Sequence, residues 1–272
     1  MIRLRAFGIV AVFLTVTVVL LPLQWLAIRL RFPLRRTLPH RYHRFVCLLF
    51  GIRIAVLGQP AQGGVLMIAN HSSWLDIAIL SAVWPVSFVA KSEVNRWPFF
   101  GTLARMQRSV FVRRERAQTL ANREKIRRRL LEGDALVIFP EGTSSDGNRV
   151  LPFRSALLST AEFAAGSTAG DRLAAVPVQP VSIAYTALYG IPMGRENRPL
   201  FAWYGDMEMV PHLWEAILAG PIEVVVQFHT PLSLDEMDRK TLAVRARQVI
   251  QAGVSEALQG RTQLDLVPAG AR

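Results

Sequence analysis

The sequence is short of cysteine and of acid. Cys47 is the one cysteine among 272 residues, so no disulfide can form within the chain and a zinc cluster built on thiolates is excluded. Against 32 Lys and Arg stand 20 Asp and Glu, which leaves a formal charge of +12 at pH 7. An excess of that size points to an anionic partner, whether a phospholipid surface, an acidic protein or nucleic acid. No G-x-S-x-G elbow occurs, which removes the usual plan for a serine hydrolase acting on lipids. No aromatic or basic module of the nucleic-acid-binding kinds is recognisable. Internal repeats and low-complexity tracts are missing as well.

What the chain does hold is apolar. Hydrophobic residues make up 51% of it, enough for a sizeable core in one large domain or two small ones. Residues 6–28 (AFGIVAVFLTVTVVLLPLQWLAI) carry no charge. As a helix at ~1.5 Å per residue they extend about 35 Å, against a hydrocarbon core of ~30 Å. Pro22 offers a kink that would let the segment enter one leaflet and turn back. No small-x-small cleavage site follows, which argues against a signal peptide. Arg3 and Arg5 precede the segment; Arg29, Arg31, Arg35, Arg36, Arg41 and Arg44 follow it. The positive-inside rule then places the remainder of the chain in the cytoplasm, with the arginines against an anionic membrane surface. That gives the charge a partner, and nucleic acid is set aside. The expected division is a membrane anchor and basic juxtamembrane segment over 1–44, and one domain over 45–272.

Beyond the anchor, short apolar runs alternate with helical patterns. Strands are expected at 52–57, 65–69, 86–90, 109–113, 135–139, 176–184 and 222–228. Helices are expected near 73–82, 94–106, 115–132, 153–166, 209–219 and 238–258. The alternation predicts an α/β domain, a mostly parallel twisted sheet flanked by helices. Residues 190–208 read as a long loop, with Trp203 and Tyr204 among turn formers.

Two stretches carry chemistry. NHSSWLD (Asn70 to Asp76) follows the apolar run VLMIA, so His71 stands where the chain leaves a strand. Functional side chains in open α/β folds gather at such ends. An imidazole there can take a proton from a substrate hydroxyl, and a carboxylate on its other nitrogen steadies it. Ser73 and Asp76 also fit a capping box at a helix start, a reading that needs no catalysis. In IFPEGTSSDG (Ile138 to Gly147), Pro140 stops a strand, Glu141 emerges, and Gly142 permits a tight turn before Thr143, Ser144 and Ser145. That turn can hold a polar head group; the plainer reading is a strand exit with a solvated glutamate. Between the two lies SVFVRRER, where Arg114 suits a phosphate or carboxylate. The helix after it holds Arg123, Lys125, Arg127, Arg128 and Arg129, either a solvated face or a dock for an acidic carrier protein or lipid phosphates. Lys91, after VSFVA, is either a plain strand-end lysine or a contact for an anionic donor.

In this order the blocks resemble the PlsC-like glycerolipid acyltransferase family: NHSSWLD, then KSEV (Lys91 to Val94), SVFVRR, FPEGT and VPVQPVSI, across roughly residues 45 to 230. The resemblance implies the glycerolipid acyltransferase fold and acyl transfer from a thioester of acyl carrier protein or coenzyme A to a lipid hydroxyl. It implies His71 as general base with Asp76 orienting it, and Arg114, Glu141, Gly142 and Thr143 as acceptor-binding residues; Lys91 stands beside them as the substrate-binding candidate read from its own position. No cofactor and no metal are implied beyond the acyl donor. The expected location is the bacterial inner membrane, with the catalytic domain on the cytoplasmic side.

Phosphatidate-forming members carry an arginine after Glu-Gly-Thr, and Ser144 stands there instead. FPEGTSSDGNRVLPFRS and GRENRPLFAWYGDMEMVPHLW look like the lyso-ornithine-lipid O-acyltransferase branch, whose acceptor is zwitterionic and lacks phosphate. The resemblance thus implies a lyso-ornithine lipid as acceptor, with 1-acyl-sn-glycerol-3-phosphate as the alternative. From another class, a non-catalytic membrane-bound lipid-binding protein also fits the anchor and the charge.

Overall fold

A computed structural model describes residues 1–112, 119–158, 176–232 and 237–261. Arg114, the end of the expected strand 109–113, the start of the helix 115–132 and most of the helix 153–166 lie outside the described residues.

Helix α1 (Ile2–Arg29) runs unbroken through Pro22. Among the described residues it alone is long and apolar enough to cross a membrane. Its buried residues are Ala6, Ile9, Phe13, Thr17, Gln24 and Ala27. Steps of three, four and seven put them on one face. That face rests on helix α2 (Leu34–Phe50), and the opposite one shows Leu14, Val18 and Leu23 to the surroundings. No helix was expected over α2, because Pro39 and a run of basic residues mask its periodicity; it buries Pro39, Val46, Cys47 and Phe50. Gly51 ends it in the left-handed region at φ 73, where a Cβ would meet Pro221 at 3.0 Å.

The strands are β1 (Ile52–Leu57), β2 (Val65–Ala69), β3 (Val86–Lys91), β4 (Val110–Val112), β5 (Ala135–Ile138), β6 (Val178–Leu188), β7 (Ile191–Pro192) and β8 (Ile222–Phe228). They form one eight-stranded sheet in the order β1-β8-β6-β2-β5-β3-β4, with β7 pairing β6. β6, β2, β5, β3 and β4 are parallel to their neighbours, as are β1 and β8; the two groups meet at the antiparallel β6–β8 pair. Strand β2 is buried at all five positions. Val65, Met67 and Ala69 pack into the core shared with α1, α2 and α3 (Leu75–Val83), whereas Leu66 and Ile68 pack into the core on the other face. There α5 (Thr119–Leu131) and α7 (Arg239–Leu258) cover the sheet with Ile126, Leu130, Leu242, Ala246 and Ile250. A strand covered on both faces reads as a continuous apolar run, as VLMIA does.

The single helix expected over 94–106 is two pieces, a 3₁₀ turn (Ser92–Arg96) and α4 (Phe100–Met106). Pro98 divides them: it forces Trp97 into an extended conformation, ψ 130, which no helix can pass through. Helix α6 (Met209–Ala219) packs against α1, with the Trp214 ring 4.8 Å from that of Phe7.

Candidate active site

Where β2 ends, Asn70 turns its side chain toward β6. Its Nδ2 donates to the Ile183 carbonyl at 2.9 Å and its Oδ1 accepts from the Ile183 N–H at 2.8 Å. One carboxamide thus continues the ladder after the strand backbone has left it. The next two residues are held by main-chain bonds from distant loops. The His71 carbonyl accepts from Ser145 N at 2.9 Å, and the Ser72 carbonyl from Trp203 N at 2.8 Å.

These bonds fix His71 at the C-terminal edge of the sheet. Its Nδ1 lies 2.8 Å from Asp76 Oδ2. Asp76 sits in the first turn of α3, where Oδ2 also accepts from Ser72 N at 2.8 Å and Ser73 N at 2.9 Å. Helix-capping and histidine-orienting roles therefore coexist in one carboxylate. Its other oxygen, Oδ1, accepts from the Tyr185 hydroxyl at 2.7 Å. Burial, and then the charge of Asp76, push the Tyr185 hydroxyl well above its ordinary pKa, so it stays a donor. The carboxylate has no exposed side-chain surface, whereas the His71 side chain keeps 19%. A carboxylate can only accept, so Nδ1 carries the imidazole proton and Nε2 carries the lone pair. The ring stacks on Phe139 with centroids 4.1 Å apart and planes at 15°.

Glu141 behaves differently from the head-group contact expected of it. Its carboxyl is buried and faces inward, accepting from His71 N at 2.8 Å and Leu151 N at 3.0 Å. Burial raises its pKa to about 7 against the pull of those two N–H bonds, with the nearby Asp76 charge adding to the rise. An acid whose pKa rises from 4.5 to about 7 on folding binds its proton more tightly when folded. Its contribution to stability is therefore complete below pH 4.5 and drains away as pH climbs through about 7. Glu141→Gln cannot titrate. Unfolding free energies of the two proteins, followed by urea melts from pH 4.5 to 8, should show wild type losing ground to the variant as pH rises. A difference that stays constant with pH would remove Glu141 as a titrating group.

A cavity of about 1010 Å³ opens beside the imidazole. His71, Gly142, Thr143, Ser144 and Lys91 line it, as do Arg123, Arg154 and Arg239. Gly142 takes φ 74, which a side chain would resist. Much of the remaining wall is apolar, with Phe13 from α1, Val46 and Phe50 from α2, and Ile77 from α3. Trp203 and Tyr204 of the 190–208 loop also line it, and Trp203 makes an edge-on contact with Trp97 at 6.0 Å. Of the expected site residues, the structure brings together His71, Asp76, Lys91, Gly142 and Thr143 around or just behind the cavity, with Glu141 beneath the His71 backbone. Tyr185, Asn70 and Phe139 belong to the same cluster but were not expected. Tyr185 lies 109 residues from its partner, so no local pattern marks it. Among the described residues, no group of three or more His, Cys, Asp or Glu side chains is gathered for a metal ion.

Residues 53–184 match the family model described as Acyltransferase. The lyso-ornithine lipid O-acyltransferase of Brucella abortus (strain 2308) is 47% identical over 95% of this chain and 97% of its own. That of Rhizobium meliloti (strain 1021) is 43% identical over 91% and 85%. The 1-acyl-sn-glycerol-3-phosphate acyltransferase of Neisseria gonorrhoeae is 32% identical over 74% of each chain. In fold, the chain is similar to the crystal structure of the 1-acyl-sn-glycerophosphate (LPA) acyltransferase PlsC from Thermotoga maritima, with a TM-score of 0.66 at 23% identity. That match covers 97% of this chain and 100% of the other.

Proposed function

Because the chain belongs to the PlsC-type acyltransferase family, we propose that it moves a fatty acyl group from a thioester to the hydroxyl of a lyso-ornithine lipid. The observation that carries the mechanism is the His71–Asp76 pair, with a proton-accepting Nε2 on a ring that lines a largely apolar cavity.

In this reading Nε2 takes the proton of the acceptor hydroxyl as its oxygen attacks the thioester carbonyl. The tetrahedral intermediate collapses, the carbon–sulfur bond breaks, and the imidazolium returns the proton to the leaving thiolate. No acyl-enzyme forms, so neither Cys47 nor a serine needs to act. Asp76 holds the tautomer and offsets the imidazolium charge, and Tyr185 holds Asp76. Glu141 acts as a brace under the His71 backbone, since one oxygen accepts from His71 N and the other from Leu151 N. Lys91 and Arg154, both lining the cavity, are suited to the carboxylate of the zwitterionic head group. Arg114 keeps its assigned acceptor-binding role by family resemblance. The donor is acyl carrier protein or coenzyme A, and the basic helix α5 suits the acidic surface of the former. Helix α1 and the arginines after it suit an anionic bilayer, with the domain on the cytoplasmic side of a bacterial inner membrane.

The direct test gives purified protein a labelled acyl thioester and each lysolipid in turn, and separates the products. Label should appear in the diacylated ornithine lipid. Transfer to lysophosphatidate alone would move the chain to the alternative acceptor, which the Neisseria relative's 32% identity keeps in view. Ser144 lines the cavity where a phosphate-binding arginine would stand. Ser144→Arg should shift selectivity toward lysophosphatidate by roughly tenfold, the gain from one charge-assisted hydrogen bond. Unaltered kcat/KM ratios for the two acceptors would show that this position does not read the head group.

A further inference from the structure

The wall of the cavity beside His71 is unbalanced in charge. Lys91, Arg123, Arg154 and Arg239 line it, and among the described residues no aspartate or glutamate does. A zwitterionic head group brings a carboxylate and an ammonium. The carboxylate has several cations to meet, whereas the ammonium finds no acid on the wall. A cation drawn out of water without a partner is costly, and the neighbouring cations repel it. An aromatic face, tryptophan's above all, can stand in for the acid.

Two tryptophans supply such faces. Trp97 follows the 3₁₀ turn Ser92–Arg96, and Trp203 belongs to the 190–208 loop. Both line the cavity, with Tyr204 beside them. Their rings stand at 82° with centroids 6.0 Å apart. Rings so nearly perpendicular make a corner with two walls. A cation in it can lie within ~6 Å of both centroids, the range over which the attraction acts.

The corner is held from behind. Trp203 N donates to the Ser72 carbonyl at 2.8 Å, and Trp203 Nε1 donates to the Met207 carbonyl at 2.8 Å. With Nε1 spent on the backbone, this indole offers a ligand its face and not a hydrogen bond. Trp97 N donates to the Val94 carbonyl at 3.1 Å, and Pro98 keeps Trp97 extended. Ser72 follows His71, so the Trp203 backbone is one hydrogen bond and one residue step of ~3.8 Å from that of the base. The corner therefore meets the head of the acceptor and not the far end of a fatty chain. Charges around it favour a cation. Residues 203–209 carry two exposed acids, Asp206 and Glu208, and no base, while Glu93 and Arg96 of the 3₁₀ turn offset one another.

We propose that Trp97 and Trp203 form the subsite for the ammonium of the acceptor head group, with Lys91 and Arg154 on its carboxylate. The proposal deepens the lyso-ornithine-lipid reading and rests on it. The two charges of the zwitterion are then read by unlike groups, cationic side chains for one and indole faces for the other.

The test gives the purified protein one acyl thioester and two acceptors, lyso-ornithine lipid and an analogue in which a hydroxyl replaces the terminal ammonium. kcat/KM should favour the ammonium by about five- to thirtyfold, as expected for a cation held on desolvated indole faces. Trp97→Leu and Trp203→Leu should each bring that ratio down toward one, and Trp97→Phe and Trp203→Phe should keep part of it, since a benzene face attracts cations less strongly. A folding defect, or the loss of a tryptophan that only anchors the protein at the membrane interface, would slow both acceptors together and leave the ratio unchanged. A ratio near one in the wild type overturns the proposal. So does a ratio that survives both leucine variants. If the leucine variants do not fold, the phenylalanine variants decide, and an unaltered ratio in both overturns it. Transfer to lysophosphatidate alone sinks the lyso-ornithine-lipid reading itself, an outcome distinct from equal transfer to the two ornithine-type acceptors.

Discussion

Replacing His71 with alanine should lower kcat for acyl transfer by about 10²–10⁴-fold, the contribution of a positioned general base. The fold should survive. Asp76 keeps its bonds from Ser72 N, Ser73 N and the Tyr185 hydroxyl when the imidazole is gone. The Asn70 clamp on Ile183 and the Glu141 brace use the backbone and other side chains, so they persist as well. The loss should therefore fall on kcat, with KM for the acceptor little changed and a thermal melt close to wild type. Radiolabelled acyl transfer under saturating acceptor measures it. Full activity in this variant would remove His71 from the mechanism.

Asp76→Asn should cost a comparable 10²–10⁴-fold in kcat by a different route. Three donors converge on Oδ2 and one on Oδ1. The amide nitrogen of asparagine must take one of these two places, and the Tyr185 side is the cheaper. A hydroxyl can rotate to accept, whereas a backbone N–H cannot. His71 would then be held in the correct tautomer by a neutral oxygen. The imidazolium that forms in the transition state would lack its counter-charge. Acceptor binding should be preserved, so the signature is a fall in kcat at nearly constant KM with a modest loss of melting temperature. Retained kcat would mean that the carboxylate serves the helix start alone.

These expectations trace back to unequal legibility along the chain. His71 and Asp76 were readable because two local signals coincide: a five-residue apolar run that must be a buried strand, and a serine-rich helix start right after it. The imidazole had to lie at the sheet edge and the carboxylate in the first turn, within reach. The sheet was readable for the same reason, since strands buried on both faces leave apolar runs that need no partner to be recognised. Glu141 was half readable. Pro140 and Gly142 mark the turn, but the side chain's direction is set by the amides of His71 and Leu151, which sequence proximity does not reveal. Tyr185 was hidden, being one aromatic in a strand of buried residues until β6 lies beside β2. Helix α2 was hidden because its apolar face is narrow and its visible residues are basic. Over 94–106 the flanking apolar pattern suggests one helix, but Pro98 holds Trp97 extended and splits it into a 3₁₀ turn and α4.

The pairing of β1 with β8 at the sheet edge bears on how the molecule is made. β1 stands at one edge with β8 as its neighbour, Ile52 opposite Ile222. Synthesis at ~5–20 residues per second would separate the emergence of those two strands by on the order of ten to thirty seconds. Throughout that interval the first strand waits with bare amides while the N-terminal helix is already free to engage lipid. Maturation thus has a step that only the finished polypeptide can complete, and the nascent chain spends it tethered and open to mispairing.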